Sequence, residues 1–116
     1  MTSQRVILEL GAGNDLHGGD YTKAALRAVA DALHHSSLAL IGSLGLDAAT
    51  MLVDVTIGVQ RPERVDAERV RAALPHGVVT VRVVPGGLDV PSPDGRDPAV
   101  IASAAIGVRF PALPSR

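Results

Sequence analysis

The chain has 116 residues, 47% apolar and 20% charged, which suits one folded domain around a single core and excludes a disordered or collagen-like polymer. Eleven Lys and Arg against twelve Asp and Glu give a net charge of -1, so no broad field draws the chain to nucleic acid or to an anionic bilayer. The absence of cysteine removes disulfides, cysteine-zinc sites and thiol nucleophiles, and leaves the cytoplasm as the expected compartment.

Aromatic residues are only 2%, a single Tyr21 and a single Phe110, so the core must be built from Val, Leu, Ile and Ala. Small side chains bury little area each, at about 25 cal/mol per Å2, and association of subunits would offset that deficit. The first residues lead into too short an apolar run for a secretory signal. The weakly polar stretch 36–53 is interrupted by Gly42, Gly45 and Asp47, short of the roughly 20 apolar residues of a membrane span.

Residues 5–10 alternate, with Val6, Leu8 and Leu10 expected on the buried side and Arg5, Ile7 and Glu9 on the other, the period-2 pattern of a strand. Residues 11–19 hold four glycines with Asn14 and Asp15 and read as a loop. Residues 21–34 have helical spacing of Thr22, Ala25, Leu26, Val29, Ala32 and Leu33, with Lys23, Arg27, Asp31 and His34 opposite, and Asp20 is placed to cap that helix. Residues 36–49 follow neither period and read as coil.

Residues 50–59 alternate again and predict a second strand. Pro62 ends it, Asp66 can cap a short second helix with Val65 and Val70 as a hydrophobic staple, and Pro75, His76 and Gly77 stop that helix. Residues 78–84 form a third strand, 85–98 a loop, 99–110 a fourth strand and 111–116 a tail. The domain is thus residues 1–110. The expected fold is α+β, a two-layer sandwich in the order βαβαββ, with a mixed sheet and both helices on one face. Strand-helix-strand units predict parallel neighbours, and strands three and four, joined directly, predict an antiparallel pair. The second sheet face is expected to carry Glu9, Asp54, Thr56, Thr80, Arg82, Ser103 and Arg109, a mixture suited to a subunit contact or a site.

The segment joining the first strand to the first helix concentrates the candidate chemistry, because amide hydrogens and the positive end of the helix dipole converge at such a junction. Leu16 stands where a dinucleotide-binding motif needs its third glycine, and no Gly-Lys-Ser/Thr ending occurs, so neither phosphate-binding loop fits. Three readings remain for Asp15, His17 and Asp20. They can offer oxygen, nitrogen and oxygen to a divalent metal, although no known ligand spacing matches. His17 can exchange a proton with a small substrate while Asp15 or Asp20 orients the ring. Or Asp15 makes a turn, Asp20 caps the helix and the loop is structural. His34 and His35 complement a helix dipole, the charges of residues 61–71 interleave as a solvated face, and no Gly-x-Ser-x-Gly elbow is present.

The run Gly11-Ala-Gly-Asn-Asp-Leu-His-Gly-Gly-Asp-Tyr-Thr22, continued by Lys23 to Val29, Val53 to Val59, Pro62, Glu63, Val65, Asp66 and the Gly86-Gly87 turn, resembles the signature of the Lin family, a conserved hypothetical family of bacteria and plants. The resemblance implies that Gly11, Gly13, Asp15, His17, Gly18, Asp20 and Thr22 are motif positions, with Gly19 replacing a longer polar residue. It implies no activity. The element order is also similar to trimeric chorismate-mutase-like and imine-deaminase-like folds, whose sites lie between subunits.

The expectation is a homo-oligomer, trimeric or higher, that acts on or binds a small polar metabolite, with no cofactor or resident metal. His17 would be the acid or base and Asp15 and Asp20 its orienters. Gly11, Gly13, Asn14, Gly18 and Thr22 would line the site, and Lys23 or Arg82 would contact an anion. The competing expectation is a non-catalytic assembly subunit with a structural glycine loop.

Overall fold

The computed structural model describes residues 4–34 and 48–110. Residues 36–47 of the expected coil and the expected tail 111–116 lie outside the described residues. The elements are β1 (Gln4–Asp15), α1 (Tyr21–His34), β2 (Leu52–Val59), α2 (Ala67–Ala72), β3 (Val78–Pro85), β4 (Leu88–Val90) and β5 (Ala99–Phe110), with 3-10 turns at Ala48–Thr50 and Pro62–Arg64. The fold is α+β and keeps the βαβαββ order, with β4 added inside the connection expected to be a loop.

The strands lie in the order β1-β5-β2-β3. The parallel pair is β2 with β3, in register from Leu52 opposite Val78 to Val59 opposite Pro85. The final strand runs antiparallel between β1 and β2 and separates them, so it is not the neighbour of β3 that a direct connection predicts. The reason lies at Gly86 and Gly87. The Gly86 amide donates to the Val59 carbonyl at 2.9 Å, and a Cβ on Gly87 would stand 2.1 Å from the Ile101 carbonyl oxygen. Two residues without side chains let the chain step across the end of β2, where β4 pairs with β5 before the chain turns back. Gln60 holds the crossing by donating from Nε2 to the carbonyls of Gly86 and Gly87.

Both described helices pack on one face. Val53, Val55, Ile57 and Val59 of β2 alternate with half-buried neighbours, Met51 just before the strand is buried with them, and Val100, Ala102, Ala104, Ile106, Val108 and Phe110 of β5 are buried at every second position, so one side of each central strand is core. Asp66 caps α2 by accepting from the amides of Glu68 and Arg69 at 3.1 and 3.2 Å, and Val70 behind it is fully buried.

The phase of β1 is opposite to the sequence expectation. Ile7 packs on the core, whereas Leu8 and Leu10 stand on the open face at 44% and 65% exposure. Glu9 shares the helix side with Gly11, so it leaves the set of residues expected on the second face. The cause is the glycines: the strand must turn its side-chain-free positions toward α1, and every second residue follows.

Candidate functional site

Residues 11–15, expected as a loop, are the last five of the twelve residues of β1 and pair with residues 104–100 of β5. A Cβ on Gly13 would lie 2.2 Å from the Ala28 nitrogen and 2.5 Å from the Ala24 carbonyl oxygen, and one on Gly11 would lie 2.4 Å from the Ala28 oxygen and the Ala32 nitrogen. Facing them, Ala24, Ala28 and Ala32 of α1 are completely buried. Glycine and alanine therefore serve one purpose here: they bring the helix backbone into contact with the strand backbone. This also explains how a core almost without aromatics is closed.

The outer edge of β1 is covered by the same helix. Asp31 accepts from the Ala12 amide at 2.9 Å, and Arg27 donates to the Asn14 carbonyl at 2.7 Å. Asp15 is 3% exposed, accepts from the Asp20 amide at 2.9 Å and lies 3.8 Å from Lys23 Nζ and 3.7 Å from Arg27 Nη1. Asp20 accepts from the Lys23 amide through Oδ1 at 3.0 Å, and its carbonyl accepts from Ala24 at 3.1 Å, so it caps α1. Thr22 is buried and links α1 to the start of α2, its hydroxyl accepting from the Asp66 amide at 2.9 Å and donating to the Arg64 carbonyl. Each of these side chains already has a partner within the fold.

His17 differs. It is exposed on the turn between β1 and α1, followed by Gly18 and Gly19 with φ of 96° and 58°. This turn forms one wall of a cleft of about 550 Å3. The opposite wall is the connection from β4 to β5, with Ser92, Asp94, Arg96 and Asp97. The two walls meet because β1 and β4 run in the same direction on either side of β5 and end at its first residues: Asp15 and Asp89 both stand opposite Val100. Glycine at position 19 also matters, since its φ of 58° disfavours a side chain, and a Cβ there would lie in ordinary contact with Asp97 at 3.4 Å.

The second wall is preformed. The Gly95 amide donates to the Ser92 carbonyl at 3.0 Å, Gly95 has φ of 76°, and Asp94 accepts from the Ser92 hydroxyl and from the Arg96 amide. Those two hydrogen bonds hold the Asp94 carboxyl below its usual range, so it is an anion, with Arg96 Nε at 3.7 Å. The cleft thus offers an imidazole, a hydroxyl, carboxylates and a guanidinium at the carboxyl ends of two strands.

Of the residues singled out from sequence, His17 and Gly18 line this cleft. Gly11, Gly13, Asn14, Asp15, Asp20, Thr22 and Lys23 shape the strand-helix junction behind it. Arg82 lies on the open face of β3, opposite Thr56 in β2. Asp15, His17 and Asp20 do not converge on a common point for a metal, and among the described residues no group of three His, Asp or Glu side chains does. Sequence reasoning missed the second wall, although Ser92-Pro-Asp-Gly95 is a recognisable turn. It also missed Tyr21, a buried phenol that donates to Asp89 Oδ2 with the Arg64 guanidinium 5.6 Å from its ring centre. That contact ties the start of α1 to β4.

Among the described residues these features define a small α+β sandwich with one helix-covered sheet face, a second face that neither described helix covers, and a polar cleft at the strand ends. The chain belongs to the Lin0512 family of conserved hypothetical proteins, whose family model matches residues 5–108. It is similar to an FtsZ-like protein of unknown function from Nostoc punctiforme PCC 73102, known from a crystal structure, at 37% identity and a TM-score of 0.83 over 95% of this chain and 98% of that one. No curated protein matches it. Among the described residues no helix is long and apolar enough to cross a membrane.

Proposed function

We propose that the protein binds a small polar molecule in the cleft between residues 16–18 and 90–99 and that His17 acts there as acid or base. The observation that supports this is the placement of an exposed imidazole across from a preformed polar turn. Arg96 takes the role of anion contact foreseen for Lys23 or Arg82, because Lys23 lies over Asp15 and Arg82 is on the sheet face. Asp15 and Asp20 contribute by fixing the turn that carries His17. The test is His17→Ala, titrated with small carboxylates, phosphates and amines. Binding or turnover seen in the native chain should disappear while unfolding free energy stays within about 1 kcal/mol. An equal loss of stability would make His17 a structural residue.

A second reading, a non-catalytic assembly subunit, is favoured by Gly11 and Gly13, whose contacts with α1 account for them without a ligand. Under that reading none of these compounds shifts the spectrum of either protein.

A further inference from the structure

We infer that the sheet face left uncovered by the described residues packs against the same face of a second copy of this chain. Both described helices lie on the other side, and of the six large apolar residues exposed in the described chain, Leu8, Leu10, Val78, Leu88 and Val90 stand on this face, at 44–65% exposure, Val90 also bordering the cleft that Leu16 lines. Four strands at about 4.8 Å spacing and roughly eight residues at about 3.3 Å give a plane of about 500 Å2. The plane is mixed, with Thr56, Thr80, Arg82 and the Asp54–Arg109 pair among its apolar residues, and two such planes together reach the roughly 1,000 Å2 that a specific interface requires.

The shape of the face indicates what covers it. Small residues at its centre, Gly58, Ser103 and Ala105, leave a depression of about 570 Å3, and Leu10 projects at its rim. Projection and depression on one surface are what a two-fold contact uses, because each copy presents both to the other. Two charges of this face offset each other, Asp54 and Arg109 being paired across β2 and β5 with Arg109 Nε 2.6 Å from Asp54 Oδ2, and Arg82 stands on the edge strand β3. The pair holds the Arg109 guanidinium protonated above even its usual high range. A second copy also supplies the apolar area that this Val- and Ala-built core lacks. The inference concerns self-association alone and holds whether or not the His17 cleft binds a ligand.

The experiment is a mass measurement by sedimentation across a wide concentration range on the native chain, Leu10→Lys and Leu16→Lys. The native chain and Leu16→Lys should be oligomeric. Leu10→Lys should be monomeric or associate roughly a hundredfold more weakly, since a two-fold contact carries the change twice. Should Leu10→Lys lose its helical circular dichroism, Leu88→Lys, from another strand of the same face, replaces it. The chain has no tryptophan, so Ser103→Trp adds a local readout, with emission shifting to the blue as concentration rises. A native chain that stays monomeric throughout overturns the inference. So does an oligomer that neither Leu10→Lys nor Leu88→Lys weakens.

Discussion

Gly13→Ala isolates the contact on which the junction depends. The added methyl would sit 2.2 Å from the Ala28 nitrogen and 2.6 Å from the Arg27 carbonyl carbon, where ordinary contact begins near 3.4 Å. These atoms are helix backbone, so no rotamer change relieves them, and α1 must retreat from the sheet by about 1 Å. Overpacking of this kind costs about 1–3 kcal/mol, and a clash with a 14-residue helix belongs at the upper end. Against a total stability of roughly 5–15 kcal/mol, about 3 kcal/mol lowers the melting temperature by about 10–20 °C. Thermal and urea unfolding followed by circular dichroism measures it. Gly95→Ala is the internal comparison: its φ is 76° but nothing lies within 4 Å of the new carbon, so it should lose only about 1–2 kcal/mol. If Gly13→Ala unfolds within about 0.5 kcal/mol of the native chain, the close packing of α1 on β1 is refuted and a ligand-binding role for the glycine regains its case.

Two further outcomes follow from the same junction. Asp15→Ala leaves the Asp20 amide without its acceptor and should destabilise by about 1–3 kcal/mol, with faster hydrogen exchange at Asp20, while Asp15→Asn, which keeps an acceptor oxygen, should lose less. Burial raises the Tyr21 phenol above its ordinary value of 10.0, aided by the hydrogen bond to Asp89 and the charge of Asp89 and opposed by Arg61. The folded chain therefore holds this proton more tightly than the unfolded chain. The associated stability is complete below pH 10 and declines from there as pH rises through the folded value. Tyr21→Phe should remove that decline, and because Tyr21 is the only tyrosine, phenolate absorbance should show the raised midpoint directly. A midpoint at or below the ordinary value would contradict the Tyr21–Asp89 contact.

The fold was legible where periodicity and capping agree. The bounds of α1, the alternation of β2 and the cap at Asp66 are all local signals. Two things were not local. The phase of β1 depends on which side α1 must touch, and glycines in a strand look like glycines in a loop until the alanine stripe at positions 24, 28 and 32 is set against them. The insertion of β5 between β1 and β2 depends on the crossing at Gly86 and Gly87, which composition marks as a turn without saying what it passes over. At the site, His17 was found because an imidazole between glycines at a strand-helix junction is a local pattern. The wall facing it comes from residues 91–97, about 75 positions later in the chain, and only the pairing of β1 and β4 on either side of β5 brings it near.

The most direct test of the cleft is a resonance-assigned NMR titration of the intact chain with a mixture of small metabolites. The account predicts shifts concentrated at His17, Gly18, Ser92 and Arg96, with residues 11–13 little affected. Shifts centred on Gly11 and Gly13, or on Ser103 and Ala105 of the sheet face, would contradict it.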